Sequence, residues 1–304
     1  MVNYSIIIPH YNIPDLLMRC LHSIPVRSDV QVIVVDDCSP GAEKYLERYP
    51  ELSRPCLEFY STPKGGSAGR ARNVGLDHAK GKWLIFADAD DFFVEDIDSI
   101  LNEYVNADSD IVFFRHKSVM SENINMPSGR DDNDAFFNNY KKSHDEYIFR
   151  CDYPVPWGKM IKRSLVDDNG FRFDETRWSN DYYFSVTTGL KANKIEVVDR
   201  YMYILTERSG SLTHNYCGSR EEIDVRLAVA KKVQILVDKS IYYHSKRKTH
   251  FFHILSILKS KDEMAFWKEV WGLRKNPRLM WMVLSNLLSR KWHYWNRCYS
   301  CTSI

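Results

Sequence analysis

An acidic stretch at residues 88–91, Asp-Ala-Asp-Asp, directly follows the apolar run at residues 83–87. The apolar run predicts a buried strand. Carboxylates spaced by one residue at the end of such a strand suit a hard divalent cation, which prefers oxygen ligands and keeps positions open for substrate phosphates. In an α/β chain this arrangement predicts an enzyme that handles a nucleoside diphosphate. Asp-x-Asp triplets also occur in solvated surface turns, so the neighbouring motifs must decide between the two interpretations.

Polar residues follow two other predicted strands in the same way. The run at 5–9 leads into His-Tyr-Asn, and the run at 31–35 leads into Asp-Asp-Cys-Ser. Strands without polar alternation that alternate with helical patterns predict a mostly parallel sheet with helices on both faces. Ligands of such sheets bind beyond the carboxyl ends of the strands. We therefore predict an α/β, Rossmann-like fold with its site at this edge.

Other elements are predicted from apolar periodicity. Helices are predicted over 15–24, 41–49, 67–79, 94–105 and 181–192 and near Arg163, and strands at 57–60, 111–114, 195–198 and 201–205. Residues 116–150 are polar and weakly periodic, and we interpret them as a variable excursion that shapes a pocket. The pattern is helical from about residue 221 onward.

Charge is unevenly distributed along the 304 residues. The net charge is only +2, yet residues 241–304 carry 12 Lys and Arg against 3 Asp and Glu. This C-terminal arm, residues 241–304, also holds five of the eight tryptophans. The whole chain has no nucleic-acid signature, and no nucleic-acid-binding module matches. An acidic body with a basic, aromatic arm predicts two different tasks.

Seven cysteines, odd in number and scattered, fit reduced thiols of a cytosolic protein. We interpret Cys298 and Cys301 as incidental. Residues 1–5 contain no basic region or cleavage site, and no apolar run approaches ~18 residues, so we expect neither a signal peptide nor a spanning helix. The predicted location is cytoplasmic, with peripheral attachment to the inner face of the cytoplasmic membrane as a possible addition.

Four segments together resemble the inverting family 2 glycosyltransferases of the GT-A fold, in their non-processive, bacterial surface-polysaccharide form. They are residues 5–12 (Ser-Ile-Ile-Ile-Pro-His-Tyr-Asn), 34–39 (Val-Val-Asp-Asp-Cys-Ser), 69–75 (Gly-Arg-Ala-Arg-Asn-Val-Gly) and 86–91 (Phe-Ala-Asp-Ala-Asp-Asp). The order and spacing match over about the first 110 residues and more loosely to about residue 214. Processive members carry a Gln-x-x-Arg-Trp motif and spanning helices, and this sequence has neither.

The resemblance implies transfer of a sugar, with inversion, from a nucleoside diphosphate sugar, most simply a UDP-sugar, to a glycan or lipid-linked acceptor. It implies a catalytic domain over 1–215, with nucleotide-sugar binding in 1–115 and acceptor and catalytic residues in 116–215. Residues 216–304 are then a helical, basic and aromatic extension.

Donor-binding residues follow from the matched positions. They are Pro9, Tyr11, Asn12, Asp36, Asp37, Arg72, Asn73, Asp88 and Ala89. Tyr11 would stack on uracil, or else cover the sheet edge. Asp36 or Asp37 would accept the uracil imide N–H, or else cap the next helix. Arg70 and Arg72 cannot share one helix face, and the resemblance favours Arg72, although either could form a surface ion pair.

The remaining roles are also implied by the resemblance. Asp90, and late in the chain His214, would bind Mn²⁺ or Mg²⁺, although His214 could equally be a surface histidine. Asp181 matches the catalytic base, although it also suits a helix N-cap. Asn180 stands where the family usually has Glu. Trp157, Lys159 and Asn180 would contact the acceptor. Trp157 could instead be a residue of the hydrophobic core.

Basic amphipathic helices with tryptophans bind anionic membrane surfaces, which suits a lipid-linked acceptor. The C-terminal arm could instead cap the catalytic domain. Two other functions remain open. A nucleotidyltransferase would want a glycine-rich, lysine-bearing loop after the first strand, which residues 11–14 do not provide. A non-catalytic nucleotide- or glycan-binding protein that kept the fold is suggested only by Asn180.

Overall fold

The computed structural model describes residues 1–129, 134–208, 218–241 and 250–288. The chain divides into two compact units, Met1–Ser209 and Gly210–Ile304. The boundary expected from the sequence, after residue 215, lies six residues further along.

The first half of unit 1 is a parallel sheet. Its strands are β1 (Tyr4–His10), β2 (Val30–Asp36), β3 (Leu57–Ser61) and β4 (Trp83–Phe86). They pair in the order β3-β2-β1-β4, all in parallel. Each crossover passes over a face of the sheet, by way of α1 (Pro14–His22), α2 (Tyr45–Arg48) and α3 (Ala68–His78). β1 and β2 are buried along their whole lengths, which explains their uninterrupted apolar sequences.

The second half of unit 1 extends the sheet with mixed pairing. It contains β5 (Phe92–Phe93), α4 (Ile97–Tyr104), β6 (Ile111–Met120), β7 (Asn123–Pro127), α5 (Asp134–Ser143), β8 (Lys159–Lys162), α6 (Arg163–Asp167), α7 (Tyr182–Lys191) and β9 (Ile195–Glu207). β8 runs antiparallel between β4 and β6, and β6 pairs in parallel with β9. The predicted fold class, an α/β sheet flanked by helices, is confirmed.

Several details differ from the sequence-based expectations. The predicted helix over 41–49 is a 3₁₀ turn followed by the four-residue α2, and the two late strands are one continuous β9. The short strands β5, β7 and β8 and the helix α5 were not predicted. Their sequences are two to ten residues long, and β5 and β8 pair with strands far away in the chain, so local periodicity carries little signal for them.

Both faces of the sheet bury apolar side chains. Ile6 and Ile8 of β1 point into one core, and Ile7 points into the other. Gly75 of α3 is what allows this helix to lie on β1, because a Cβ at this position would come within 2.4 Å of the Ile7 side chain. The close approach places the N-terminal turns of α3 beside the carboxyl ends of the central strands.

Unit 2 is helical where it is described. Its helices are α8 (Arg220–Asp238), α9 (His250–Lys261), α10 (Glu263–Gly272) and α11 (Pro277–Leu288). Ser219 caps α8 by accepting a hydrogen bond from the amide of Glu222, and Glu222 pairs with Arg226 inside the unit. In the ranges given above, none of the helices is both long enough and apolar enough to cross a bilayer.

Candidate functional site

The carboxyl ends of β1 and β2 are joined by a buried hydrogen-bond network. His10 and Asp36 lie opposite each other in the register, and the His10 Nδ1 to Asp36 Oδ1 distance is 2.8 Å. The Ser39 hydroxyl and amide also donate to the Asp36 carboxylate, at 2.6 and 2.8 Å. Burial opposes ionisation of Asp36, but the hydrogen bonds from His10 and Ser39 outweigh it and lower the pKa. Asp36 is fully buried, so its carboxylate organises the loops and has no surface to offer a ligand.

Asp37 occupies a different environment from its neighbour. Its carboxylate accepts hydrogen bonds from the Thr62 hydroxyl, at 2.9 Å, and from the Gly66 amide, at 3.0 Å. It therefore ties the end of β2 to the loop that precedes α3. With 9% of its surface exposed, Asp37 is the member of the predicted pair that can still meet a ligand.

The loop after β1 presents an aromatic ring. Tyr11 is 57% exposed, and the amide of Asn12 is held by the Ser39 hydroxyl at 2.7 Å. Asn12 and Cys38 both adopt left-handed backbone, with φ of 51° and 67°. Such conformations are uncommon for residues other than glycine and are typical of turns shaped for function. Pro9 and Ala89 are buried, so neither offers much surface to a ligand.

Arg72 connects three parts of the site. Its guanidinium donates to the Asp88 carboxylate at 2.6 Å and to the Asn180 side-chain oxygen at 2.8 Å. The guanidinium is buried beneath a partly exposed Asp88 and lies 5.4 Å from the centre of the Phe173 ring. One arginine on α3 thus joins the end of β4 to the segment before α7, a contact made possible by the planar fork of its donors.

The residues next to Arg72 on α3 contact other parts of the protein. Asn73 exchanges hydrogen bonds with the backbone of Phe173, at 3.1 and 2.9 Å. Arg70 pairs with Glu175 at 2.9 Å on the surface. Gly69 lets the same segment approach, since a Cβ there would lie 2.1 Å from the Asp174 carbonyl oxygen. The segment that precedes α7 is therefore pinned to α3 along its length.

The acidic stretch forms a turn with a buried anchor. Asp91 is 1% exposed and accepts hydrogen bonds from the Tyr203 hydroxyl, at 2.8 Å, and from the Thr206 amide, at 2.6 Å. The Tyr203 hydroxyl in turn accepts from the Asp88 amide at 2.8 Å. Burial, and then the charges of Asp90 and Asp88, raise the pKa of Asp91 well above its ordinary range. Asp91 thus fixes the turn from inside.

Asp90 is partly exposed and lies close to other carboxylates. Burial and the charge of Asp88 raise its pKa, although Arg208 opposes this from 3.2 Å. No group of three or more His, Cys, Asp or Glu is arranged for a metal in the described ranges. Two carboxylates with this charge surplus nevertheless fit a hard divalent cation that completes its coordination with phosphate oxygens and water.

Asp181 lies at the start of α7, half-buried. It occupies the N-cap position, yet its side chain makes no capping hydrogen bond. Burial raises the pKa of Asp181, and the positive charge of Arg72 opposes this rise. Ser179, two residues earlier, has a left-handed backbone with φ of 53°. The strained turn leaves the Asp181 carboxylate free of the cap that its position in the sequence also suggests.

The predicted acceptor residues lie at different depths. Trp157 is only 6% exposed and stacks on Tyr203, with ring centroids 5.4 Å apart. Its indole therefore packs in the core and has little surface for a sugar. Asn180 is held by Arg72. Lys159 is 1% exposed, and burial lowers its pKa to about 7, opposed by the charge of Asp181.

Other predicted residues fall outside the described ranges. These are His214, Cys298, Cys301 and the tryptophans Trp292 and Trp295. The structure adds site residues that were not assigned a role from the sequence. His10 lies within a matched segment, and its part in holding Asp36 is seen only in the structure. No motif indicated Arg19, Tyr203, Thr206 and Arg208, of which Arg19 donates to the Asp90 carbonyl at 2.6 Å. Their types are common everywhere in the sequence, and only the tertiary positions of α1 and of the end of β9 bring them to the acidic turn.

Known proteins share both sequence and fold with this chain. The family model for glycosyl transferase family 2 matches residues 5–170. The poly(ribitol-phosphate) beta-N-acetylglucosaminyltransferase TarS of Staphylococcus aureus is 26% identical over 77% of this chain and 41% of its own length. The poly(ribitol-phosphate) beta-glucosyltransferase of Bacillus spizizenii is 28% identical over 72% of this chain and 36% of its own. The chain thus spans about two fifths of these curated relatives.

Solved structures agree on the fold. A TarS fragment in complex with UDP-GlcNAc superposes with a TM-score of 0.63 at 21% identity, covering 85% of this chain and 71% of that one. The mannosyltransferase PcManGT from Pyrobaculum calidifontis, in complex with GDP-Man and Mn²⁺, gives a TM-score of 0.58 at 14% identity, covering 99% and 84%. At these identities the structures establish a common fold.

The buried network below the site yields a prediction for stability. Replacing His10 with Ala removes a donor from a buried carboxylate, and we expect the free energy of unfolding at pH 7 to fall by about 3–5 kcal/mol. Urea unfolding followed by circular dichroism measures the change. His22→Ala is the matched control, because His22 is exposed, and we expect a change within about 0.5 kcal/mol.

The loss of stability in His10→Ala should also depend on pH. A lowered folded-state pKa for Asp36 contributes stability that is present above the ordinary carboxyl pKa of about 4 and is lost as the pH falls through the folded-state pKa. The difference in the free energy of unfolding between wild type and His10→Ala should therefore narrow as the pH falls below about 4. A difference that stays constant down to acid unfolding would contradict this role of the network.

Proposed function

This chain belongs to glycosyltransferase family 2, and from that membership we propose that it transfers a sugar, with inversion, from a UDP-sugar to a glycan or lipid-linked acceptor of a bacterial surface polysaccharide. One observation carries the proposal. Arg72 links the Asp88 carboxylate after β4 to Asn180, which directly precedes the uncapped Asp181. This link supports a site in which a charged diphosphate and a candidate base would lie close together.

The donor would lie across the carboxyl ends of β1, β2 and β4. Tyr11 offers an exposed ring for stacking on uracil, and Asp37 offers the carboxylate edge that Asp36 cannot. Asp88 would accept from the ribose hydroxyls while Arg72 holds its other side. The named relatives use N-acetylglucosamine and glucose, so UDP-GlcNAc and UDP-glucose are the donors that we propose to test first.

Mn²⁺ or Mg²⁺ would be held by Asp90, with Asp88 beside it. Such an ion supplies positive charge to the diphosphate that leaves. The fit rests on the donor set, since both side chains offer carboxylate oxygens, and burial together with the charge of Asp88 raises the pKa of Asp90. His214 remains a predicted ligand outside the described residues.

The transfer step would use Asp181 as the base. Its carboxylate takes the proton of the acceptor hydroxyl while the hydroxyl oxygen bonds to the anomeric carbon and the bond from that carbon to the diphosphate breaks. Attack from the face opposite the leaving group inverts the anomeric configuration. Burial raises the pKa of the Asp181 carboxylate, which would make it a stronger base, and the positive charge of Arg72 opposes this rise.

Asn180 makes a specific contribution in place of the usual glutamate. Its side-chain oxygen accepts from Arg72 without adding another negative charge beside Asp88 and Asp181. We propose that it orients Arg72 and meets the acceptor only at the edge of the cleft. The alternative function, a non-catalytic nucleotide- or glycan-binding protein, is suggested by this substitution alone. The turnover experiments below distinguish it from an enzyme.

The C-terminal arm would contact the membrane that carries the acceptor. Trp267, Trp271 and Trp281 are 46%, 69% and 69% exposed, and Met264 is 82% exposed. On α10, Met264, Trp267 and Trp271 share one face by helical spacing. We propose a peripheral contact with anionic lipid, driven by these side chains and by the surplus of basic residues in the arm. The cytoplasmic location stays a prediction.

Replacing Asp90 with Ala should abolish the dependence of UDP binding on metal. Losing one charged ligand is expected to weaken binding in the presence of Mn²⁺ by at least about tenfold, towards the affinity measured without metal. Isothermal titration with UDP, with and without Mn²⁺, measures both. Asp98→Ala is the matched control, an exposed aspartate paired with Arg27. Unchanged, metal-enhanced binding by Asp90→Ala would exclude Asp90 as the ligand.

Replacing Asp181 with Asn should separate binding from turnover. The amide cannot accept the proton, so we expect UDP release from UDP-GlcNAc or UDP-glucose to fall by about 10²–10⁴-fold, with water or poly(ribitol phosphate) as acceptor. UDP affinity should stay within about twofold of wild type. Asp168→Asn, on the surface after α6, is the control. Full activity in Asp181→Asn would remove it as base, and binding without turnover in the wild type would favour the non-catalytic alternative.

Replacing both Trp267 and Trp271 with Gln should weaken membrane binding. Each buried indole is worth roughly tenfold in affinity, so we expect a large loss of cosedimentation with phosphatidylglycerol vesicles. High salt should also weaken wild-type binding, since part of it is electrostatic. Val26→Gln, an exposed apolar residue of unit 1, is the control. Equal pelleting of the double variant and wild type would argue against the arm as an anchor.

A further inference from the structure

Arg19 of α1 carries a guanidinium that joins three segments of unit 1. Its Nη2 donates to the Asp90 carbonyl oxygen at 2.6 Å, and its Nη1 donates to the Ser121 carbonyl oxygen at 3.0 Å. The same Nη2 also lies 3.2 Å from the Ser121 hydroxyl and 3.4 Å from the Thr206 hydroxyl. These acceptors are carbonyl and hydroxyl oxygens, although carboxylates stand close by in the acidic turn at 88–91. The planar fork of arginine donors makes this bridge possible.

The peptide group between Asp90 and Asp91 is held on both of its sides. Its carbonyl oxygen, that of Asp90, accepts from Arg19 and also from the Thr206 hydroxyl, at 2.7 Å. A carbonyl oxygen has two lone pairs, so two donors satisfy it completely. The amide of the same peptide group, that of Asp91, donates to the Asp88 carbonyl oxygen at 3.1 Å. These three hydrogen bonds fix the plane of the peptide group.

The direction of the Asp90 side chain depends on this peptide group. The plane of the peptide group sets the backbone dihedral ψ of Asp90, and the backbone dihedrals decide which side-chain rotamers are allowed. The Asp90 carboxylate is partly exposed, so packing alone does not fix it. A metal site tolerates a deviation of only about 0.2 Å in the distance to each ligand. A rotated peptide group would therefore displace the carboxylate from a bound ion.

Arg19 is itself held by well-ordered neighbours. Its guanidinium carbon lies 5.2 Å from the centre of the Phe92 ring, and Phe92 pairs with Ile204 of β9. The amide of Ser121 donates to the Glu207 carbonyl oxygen at 2.8 Å, which fixes the turn between β6 and β7 to the end of β9. The guanidinium thus lies in a frame that β9 organises, and it transmits the position of this frame to the acidic turn.

We propose that Arg19 is a positioning residue for Asp90, which sets the direction of the metal-binding carboxylate by holding the Asp90 carbonyl. The inference deepens the proposed function and rests on it for the metal role of Asp90. Arg208 contacts the carboxylate itself, at 3.2 Å, whereas Arg19 acts through the main chain. Groups that orient a metal ligand in this way change the metal affinity by about 10–100-fold when they are removed.

The dependence of UDP binding on Mn²⁺ tests the inference. Arg19→Met removes the donors and keeps an unbranched side chain that can pack on Phe92. The affinity for UDP is measured by isothermal titration over a range of Mn²⁺ concentrations. We expect the Mn²⁺ concentration that gives half of the enhancement to rise by at least about tenfold, while the affinity without metal stays within about twofold of wild type. An unchanged half-maximal Mn²⁺ concentration would overturn the inference.

Arg54 offers a matched control. It is half-buried like Arg19, and it also donates to main-chain carbonyls, those of Leu21 and Ile24 at 2.7 and 3.3 Å, near the C-terminal end of α1. Arg54→Met should lower the melting temperature as Arg19→Met does, but it should leave the half-maximal Mn²⁺ concentration unchanged. An equal rise of this concentration in both variants would show general destabilisation and would overturn the positioning role.

Amide hydrogen exchange tests the positioning without metal or donor. The amides of Asp88 and Asp91 are hydrogen-bonded in the acidic turn. In Arg19→Met we expect peptides that cover residues 86–93 to exchange at least about threefold faster than in wild type, because the turn opens locally. Peptides from β1 should exchange as in wild type. Unchanged exchange over 86–93 would overturn the inference.

The two measurements separate the possible failures. A wild-type protein whose UDP binding does not respond to Mn²⁺ would contradict the metal role in the proposed function, and hydrogen exchange would still decide whether Arg19 fixes the turn. If Arg19→Met does not fold, Arg19→Lys is the second variant, because a lysine keeps the charge but lacks the fork. We expect it to raise the half-maximal Mn²⁺ concentration by at least about threefold, and no rise would overturn the inference.

Discussion

Negative charge concentrated at the carboxyl end of β4 is the constraint on which the rest of the site depends. Asp88, Asp90 and Asp91 stand within four residues, and Asp181 faces them from α7. Burial, and then the repulsion between these neighbouring carboxylates, raise the pKa values of Asp90 and Asp91. Cations from separate elements lie near this negative charge, and Arg72 of α3 and Lys159 of β8 are both buried.

Carboxylates that look alike in the sequence are divided by burial into two groups. Asp36 and Asp91 are closed inside hydrogen-bond networks and hold the loops in place. Asp88 and Asp90 keep partly exposed oxygens towards the cleft. In each adjacent pair, 36–37 and 90–91, one carboxylate is closed off from solvent and the other keeps some exposed surface. This division explains how exposed, charged turns keep a fixed shape.

Strain concentrates at the same turns. Asn12, Cys38 and Ser179 carry left-handed backbone immediately beside the exposed Tyr11, the Asp36–Asp37 pair and Asp181. Networks beneath the turns, such as the bond from the Asn12 amide to Ser39, hold these conformations against their local preference. The rigid parallel sheet provides the reference for all three. The protein's own hydrogen bonds therefore hold these turns in defined conformations.

The parallel half of the sheet and the polar ends of its strands could be predicted from the amino-acid sequence. Continuous apolar runs flanked by helical periodicity identify buried strands locally, and β1, β2 and β4 follow them closely. The sequence could not show that Asp36 is fully buried while Asp37 keeps a small exposed surface, that Asp181 lacks a capping hydrogen bond, or that Lys159 is buried. Those properties depend on burial and on partners up to 118 residues away, as for Asp90 and Arg208. They follow from the tertiary structure, because the desolvation and pairing of charged groups arise where segments that are distant in the sequence come together.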